Sequence, residues 1–434
     1  MIKIFLIFIS FFFILNCSLD TKSGIWSERK KITETQIINI RELFEEEKPT
    51  KDELNQEKKI TLTSKPKKNS FIKNLSNNNG RVNFNGDLKN ISKYKYSKID
   101  KFDQFEPEFI FSDDGIIFFE NKGSIIKFGN NSKIIWKKNH YSKSEKKLQP
   151  VLSFANNDQI LIVADSIAKY YAVNIHTGEL LWSKNHTNSF NSQIKIFEDR
   201  FFIVDVQNVL RCFSTKNGQE LWNYKTEGFV IKSPKKLSII LSDNKVVFNN
   251  SLGDVTALDI KTGELLWMIP TLSSLVIESK IFLKTSDLII ENDSILFSNN
   301  QNEFFSIDLN SGSLNWKKNI NSNLRPTLID DYIFTISMEG FLIIIENSTG
   351  NIIRITDLFK NFKKKKRSKI YPIGFIVGTD NIYLTTNTGK LMIIDIKEGK
   401  TKSILKIDND KISRPFALNQ NLYIIKENSI IRLN

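Results

Sequence analysis

Residues Val255–Trp267 read VTALDIKTGELLW: an apolar strand, a polar turn closed by Gly263, and a short return that ends in a large aromatic side chain. The alternation along the first part suits a strand packed between neighbouring sheets. Gly263 can supply the positive φ that a tight turn requires. Trp267 is a large apolar plate that can fill the gap between two adjacent sheets. The stretch therefore predicts a β-hairpin that stacks against a neighbour.

The same phrase occurs seven times in the chain. The copies are Phe128–Trp136 (FGNNSKIIW), Asn174–Trp182 (NIHTGELLW), Ser214–Trp222 (STKNGQELW), Val255–Trp267, Asp308–Trp316 (DLNSGSLNW), Glu346–Arg354 (ENSTGNIIR) and Asp395–Ser403 (DIKEGKTKS). The first copy has Ser132 in place of the glycine, and the last two lose the tryptophan. The turn positions 132, 178, 218, 263, 312, 350 and 399 are separated by 46, 40, 45, 49, 38 and 49 residues. A period of about 40–50 residues is typical of four-stranded propeller blades.

The number of blades follows from the runs around these copies. Each copy is preceded by an apolar run that reads as its partner strand, and an eighth pair, Asn421–Lys426 and Ser429–Leu433, ends the sequence. Asn90–Ser97 (NISKYKYS) could supply the strand that this last pair lacks. We therefore predict an all-β fold: an eight-bladed propeller of four-stranded antiparallel blades over residues 89–434, closed by an N-terminal strand. A seven-bladed ring is the alternative for the number of blades. A solenoid and an array of separate hairpins are the alternative architectures, but closed rings protect sheet edges best.

The beginning of the chain has a different character. Residues Met1–Asn16 form an almost unbroken apolar run with one lysine, which predicts a signal peptide. Ile14-Leu15-Asn16-Cys17 resembles the lipobox of bacterial lipoproteins, in which the cysteine is acylated, so Cys17 is the predicted lipidation site. An ordinary secreted protein and an uncleaved anchor are the alternatives. Residues 17–88 are polar and charged and predict a flexible periplasmic tether.

The formal charge of +14 raises the question of nucleic-acid binding. The secretion signal points away from it, and the abundant lysine can reflect a general compositional bias. The one dense basic run, Lys363–Arg367, is predicted on a loop between blades. It is either a solvated loop or a surface that attracts anionic lipid or an acidic partner.

Residues that carry catalysis do not stand out. The sequence has no HExxH, no Gly-rich phosphate loop and no Gly-x-Ser-x-Gly. Asp259, Asp308 and Asp395 recur at one repeat position, which a turn explains, because aspartate stabilises turns through its own side chain. Cys212 reads as a buried structural thiol. We therefore predict no enzymatic activity, no cofactor and no metal site.

The phrase ALDIKTGELLW resembles the repeat of pyrroloquinoline-quinone (PQQ)-type propellers. The dehydrogenases of that group usually carry adjacent cysteines against the cofactor and carboxylates around calcium, which this chain lacks. The order of lipobox, tether and eight predicted blades is similar to that of the BamB family of outer-membrane lipoproteins. That resemblance implies a non-enzymatic scaffold at the periplasmic face of the cell outer membrane. The implied partners are the BamA POTRA domains and the rest of the β-barrel assembly (BAM) complex, with unfolded outer membrane proteins as conceivable clients and no nucleic acid.

The resemblance also implies partner-binding residues after the third and fourth repeats. Phe229, Ile231 and Lys232 match an apolar–x–apolar–basic element of the family, with Phe for Leu and Lys for Arg. The alternative is that they begin the next inner strand. Glu278 and Asp287 are the candidates for the acidic residues after the fourth repeat.

Two other functions remain open at this point. The chain could be a quinone-dependent or sugar-oxidising dehydrogenase, or another lipid-anchored module that binds polysaccharide or a different envelope partner. Turnover with added cofactor would identify the first, and retention on envelope glycans without BamA would identify the second.

Overall fold

The computed structural model describes residues 52–67, 80–100, 102–227, 235–242, 244–271, 283–291 and 293–434. The predicted signal peptide and Cys17 lie outside these ranges. The described residues form eight four-stranded antiparallel sheets arranged as an eight-bladed β-propeller. The prediction of eight rather than seven blades is confirmed.

Each blade, numbered 1 to 8 in chain order, has its strands in sequence from the ring axis outward. The first, innermost strands are β2 (Ile110–Ser112), β6 (Leu152–Asn156), β10 (Lys195–Phe197), β14 (Ile239–Ser242), β18 (Ile289–Glu291), β22 (Thr327–Ile329), β26 (Pro372–Val377) and β30 (Phe416–Leu418). The second strands are β3 (Gly115–Glu120), β7 (Ile160–Asp165), β11 (Arg200–Val204), β15 (Lys245–Asn249), β19 (Ser294–Asn299), β23 (Tyr332–Ile336), β27 (Asn381–Thr386) and β31 (Asn421–Lys426). The third strands are β4 (Ser124–Gly129), β8 (Lys169–Asn174), β12 (Val209–Ser214), β16 (Val255–Asp259), β20 (Glu303–Asp308), β24 (Phe341–Glu346), β28 (Lys390–Asp395) and β32 (Ser429–Leu433).

The outer strands complete the blades. They are β5 (Ile134–Lys138), β9 (Leu180–Asn185), β13 (Glu220–Lys225), β17 (Leu265–Ile269), β21 (Leu314–Lys318), β25 (Ile352–Asp357), β29 (Thr401–Lys406) and, for blade 8, β1 (Asn90–Lys95). The described helices are short: α1 (Lys143–Lys147), α2 (Lys364–Arg367) and the 3-10 turns Phe102–Gln104 and Asn121–Gly123. None of the described helices has the length and apolar character needed to cross a membrane.

Blade 8 closes the ring with strands from both ends of the propeller. Strand β1 pairs antiparallel with β32, and Tyr94 lies opposite Ile430. Tyr94 is buried, and its ring meets Phe128 of blade 1 edge-on at 5.6 Å between centroids. The predicted closing strand is therefore confirmed, and its aromatic side chain joins the last blade to the first.

The tryptophans of the repeat join successive blades, as the sequence predicts. Each packs on the turn glycine of the next blade. The indole N–H of Trp222 has no hydrogen-bond partner among the described residues, but the other four indoles donate to the backbone carbonyl three residues before that glycine. These bonds are Trp136 to Ile175 (3.2 Å), Trp182 to Thr215 (2.8 Å), Trp267 to Leu309 (3.0 Å) and Trp316 to Asn347 (2.8 Å). A Cβ at Gly263, where φ is +77°, would lie 2.6 Å from the Trp222 ring. The turn therefore needs glycine both for its backbone and for its neighbour.

The recurring aspartates act in the turns, again as predicted. Asp259 Oδ1 accepts from the backbone N–H groups of Lys261 and Thr262, both at 2.8 Å. The backbone N–H of Thr262 is the main cause that lowers the pKa of Asp259. These carboxylates therefore shape the hairpin and are not free for chemistry.

Residues 52–67 and 80–88 fall in the range predicted as a tether, yet they lie against blades 6 and 7. The Leu54 N–H donates to Ile355 O at 3.1 Å, and the Val82 N–H donates to Val377 O at 2.9 Å. Ile60 and Phe84 are buried. The described part of the range is thus an extended strap, because its few apolar residues are buried against these blades.

Candidate interaction face

The two ends of the ring differ in what they expose. Because the strands of a blade alternate in direction, the connectors between blades and the turns between second and third strands share one end, which we call the loop face. The turns that carry the glycines, such as Gly263, lie at the other end, the turn face. The loop face holds the predicted partner-binding connectors.

A cavity of about 990 Å³ opens on the loop face. The segment before blade 1 contributes carboxylates to its wall, including Asp100 and Glu106, whereas later connectors contribute Lys235, Lys284 and Lys411. The Lys411 ammonium donates to the backbone carbonyl of Asp103 at 3.0 Å. The cavity wall therefore carries both acidic and basic side chains, which suits a polar ligand or partner of mixed charge.

Near the ring axis, four charged side chains from blades 1, 5, 6 and 8 form a buried cluster. Arg414 contacts Glu108 at 2.5 Å and Asp287 at 3.8 Å. Arg325 donates to Asp287 and lies 3.8 Å from Glu108. Each guanidinium thus reaches both carboxylates, so the cluster ties opposite sides of the ring together.

The electrostatics of the cluster follow from this geometry. Burial opposes ionisation of Asp287, but Arg325, Lys235 and Arg414 outweigh it and hold the pKa of Asp287 well below its usual range. Lys195 lies nearby and is only 2% exposed. Burial, aided by Arg325, lowers the pKa of Lys195 to about 7. The axis therefore contains fixed ion pairs and a lysine that titrates near neutrality.

Asp287 is one of the two acidic residues predicted to bind a partner, and the structure places it near the ring axis. It is buried, with Arg325 as its main partner, so it lies in the axial cluster and not on an accessible surface. Sequence reasoning missed the cluster because its members come from four separate connectors. The available signal was a charged residue two positions before the inner strand in these four blades, such as Glu108 and Arg414.

The other predicted partner-binding residues lie outside the described residues. Phe229, Ile231 and Lys232 belong to the connector from β13 to β14, and Glu278 belongs to the connector from β17 to β18. Both connectors adjoin blade 4.

The ends of these two connectors are well anchored. The Thr226 hydroxyl donates to Asn208 O at 3.1 Å, and the Asn250 amide donates to Glu227 O at 3.0 Å. Leu283 is buried beside Gly253 of blade 4. Blades 3 and 4 therefore hold the start of the first segment, and blade 4 holds the end of the second.

The basic run Lys363–Arg367 also lies on the loop face, in the connector from β25 to β26. Arg367 forms an ion pair with Asp357 at 2.7 Å, and the neighbouring Lys360 pairs with Glu53 of the strap at 3.4 Å. Lys364, Lys365 and Lys366 are not held in this way by any acidic residue among the described ones. Part of the run is therefore structural, and the rest presents positive charge to solvent.

Other residues singled out in the sequence have structural positions. Cys212 is buried, and burial raises the pKa of its thiol to about 12, which makes it inert at neutral pH. His176 is exposed in its turn. Across the described ranges, no group of three or more His, Cys, Asp or Glu side chains is placed to hold a metal ion.

Comparison with known proteins adds a family and a set of related folds. The profile of the family described as "Outer membrane protein assembly factor BamB" matches residues 121–356, more than half of the chain. BamB from Moraxella catarrhalis is similar in structure, with a TM-score of 0.65 at 15% identity, over 80% of this chain and 99% of that one. No protein with curated annotation matches the sequence significantly.

Two dehydrogenases are similar as well. The quinohemoprotein alcohol dehydrogenase from Comamonas testosteroni has a TM-score of 0.60 at 10% identity, over 81% of this chain and 78% of that one. A europium-containing methanol dehydrogenase has a TM-score of 0.63 at 9% identity, over 79% and 86%. At such identities these likenesses, and that to the Moraxella protein, show the propeller fold alone.

Proposed function

The chain belongs to the family of the outer membrane protein assembly factor BamB, and from that premise we propose that it is a non-enzymatic scaffold of the BAM complex. The observation that carries the proposal is the family match over residues 121–356, inside a ring of eight blades closed by an N-terminal strand. A closed ring holds its connectors at fixed positions, which is what a scaffold requires. No turnover is needed for this role.

The proposed partner surface is the part of the loop face that adjoins blade 4. Phe229, Ile231 and Lys232 would meet the BamA POTRA domains from one connector, and Glu278 would do so from the other. Their common origin at blade 4 supports a single surface with apolar anchors and a charged rim, the usual anatomy of an interface. Lysine gives a point charge where the family has arginine, so the contact of Lys232 would be monodentate.

The proposed location is the periplasmic face of the outer membrane, with the lipid anchor at Cys17. The apolar run before Cys17 and its lipobox-like context motivate this location. Several acyl chains together give stable anchoring, because each buried methylene contributes about 0.8 kcal/mol. Replacing Cys17 by Ser should release the protein from the membrane fraction, and membrane retention of that variant would contradict the anchor.

A co-purification from gently solubilised membranes tests the function and the surface together. Tagged wild-type protein is compared with a Phe229→Ala/Lys232→Ala variant and with a Leu221→Ala/Lys216→Ala control. The control removes one exposed leucine and one exposed lysine from blade 3, away from the connectors.

Three results are distinguishable. BamA with the wild type and the control, but not with the variant, supports both function and surface. BamA with all three proteins keeps the function and moves the interface elsewhere. Absence of BamA from all three overturns the proposed function.

A further inference from the structure

The outer strands of the blades differ in how their free edges are protected. Six of them carry lysine, and these are β1, β5, β9, β13, β21 and β29. Lysine on an exposed edge opposes pairing with a further strand, because the added strand would have to bury the charge. Only β17 and β25 lack it.

The edge of β25 is already occupied by the chain itself. The strap runs antiparallel to it, with the Leu54 N–H donating to Ile355 O at 3.1 Å and the Ile355 N–H donating to Leu54 O at 3.0 Å. The Asn55 side-chain amide donates to Ile353 O at 3.1 Å. An outer edge without lysine thus accepts an extended segment in this fold.

Strand β17 repeats the geometry of β25 residue by residue. Trp267 lies opposite Ala257 as Arg354 lies opposite Ile344, and both pairs of strands have a register shift one residue further along the third strand. Met268 therefore corresponds to Ile355. By the same register, the N–H and C=O of Met268 point away from the blade.

The side chains along β17 are uncharged, and three large apolar ones are open to solvent. Leu265, Leu266 and Met268 are 47%, 45% and 47% exposed. No described residue pairs with this edge. Three large apolar side chains beside unsatisfied backbone groups are the features by which a strand edge binds another strand.

We propose that the outer edge of β17 binds an extended, uncharged polypeptide segment of another protein, which adds a fifth strand to blade 4. Backbone hydrogen bonds to Met268 and its neighbours would hold the segment, and apolar side chains at alternate positions would cover the exposed leucines. Glu264 and Pro270 border the strand, so the paired length is about five residues, because proline cannot donate to a ladder. The inference is independent of the partner proposed above, since β17 is not part of the interblade connectors.

Fluorescence anisotropy with a labelled ten-residue peptide tests the proposal. The peptide alternates valine with threonine, and a control peptide of the same sequence is N-methylated at every second residue, which removes its backbone donors on one edge. The full chain without its signal peptide is compared with Met268→Lys and with Leu181→Lys. Leu181→Lys places the same charge at an equally exposed position of β9, an edge that already carries Lys184.

The expected result is saturable binding of the unmodified peptide to the wild type and to Leu181→Lys, a loss of at least tenfold in affinity with Met268→Lys, and no binding of the N-methylated peptide. Equal binding by all three proteins, or no binding by the wild type, would overturn the proposal. Hydrogen exchange of the peptide-free protein identifies the other occupants. Protection of the Met268 amide at every protein concentration would mean that the chain covers its own edge, and protection that grows with concentration would mean a second copy; either result also overturns it.

Discussion

The guanidinium of Arg354 donates a hydrogen bond to the backbone carbonyl of Ile396 in the next blade, 3.1 Å away. In four other blades an indole N–H meets the carbonyl at the same repeat position. Arg354 thus replaces the missing tryptophan as the hydrogen-bond donor to the next blade. It also donates to the carbonyl of Lys58 in the strap at 3.0 Å. One substitution in the repeat therefore couples blade stacking to the strap.

Substitutions of Arg354 can separate its contribution to blade stacking from its contribution to holding the strap. Arg354→Ala should lower the free energy of unfolding by about 2–4 kcal/mol, because it leaves a cavity and orphans buried carbonyls. Arg354→Trp should recover much of that loss, since an indole suits the site, but not the bond to Lys58. Hydrogen exchange at Leu54 and Ile60 should be faster in both variants. Unchanged protection of these two amides would show that the strap does not depend on Arg354.

The turn position offers a reciprocal pair of substitutions. Gly263→Ser should destabilise by about 1–3 kcal/mol, because a side chain at φ +77° is strained and meets the Trp222 ring. Ser132 holds the corresponding turn of blade 1 at φ 62° without a glycine. Ser132→Gly should therefore be neutral or stabilising, by less than about 1 kcal/mol. Denaturant unfolding measures both, and an equal loss in the two variants would contradict the argument.

Ring closure depends on Tyr94. Tyr94→Ala should cost about 3 kcal/mol of unfolding free energy, because the side chain is fully buried between blades 8 and 1. Ile91→Ala on the same strand serves as the control, since Ile91 is exposed and should change stability by less than about 0.5 kcal/mol. Chemical denaturation followed by tryptophan fluorescence reports both. Equal effects would mean that β1 contributes little to closure.

Lys195 should make stability depend on pH above neutrality. Burial lowers the pKa of Lys195 to about 7 in the folded chain, below its unfolded value, so the unfolded chain binds more protons between these two values. Stability should therefore rise as pH increases from about 7 to about 10. Lys195→Met should remove this rise and be more stable than the wild type at pH 6–7, by a difference that shrinks toward pH 10.

Thermal unfolding of wild type and Lys195→Met across this range measures the effect. Lys138→Met, which changes an exposed lysine on β5, is the control and should leave the slope as in the wild type. A Lys195→Met variant that keeps the wild-type slope would assign the pH dependence to other groups.

The repeat allowed most of the fold to be predicted, because its spacing and its turn residues are local in sequence. Gly263 and Trp267 predict both the hairpin and its stacking, and Asn90–Ser97 was identified as the closing strand from what the last pair lacked. The strap was not predicted, since the segment around Ile60 has too few apolar residues to show a period. The axial cluster was not predicted either, because Glu108 and Asp287 meet only after the ring has closed.

The pairing of β1 with β32 in blade 8 also determines when the ring can close during folding. The Tyr96 hydroxyl donates to Lys426 O, 330 residues further along the chain. Strand β1, the first strand of the propeller, therefore cannot pair until nearly all of the propeller sequence has been synthesised. Contacts between such distant parts of a chain form late, because the entropy cost of closing the loop precedes the gain from the contact. Until then, blade 8 lacks its outer strand and β32 has an open edge. The ring therefore stays incomplete until β1 and β32, which come from the two ends of the propeller sequence, have paired.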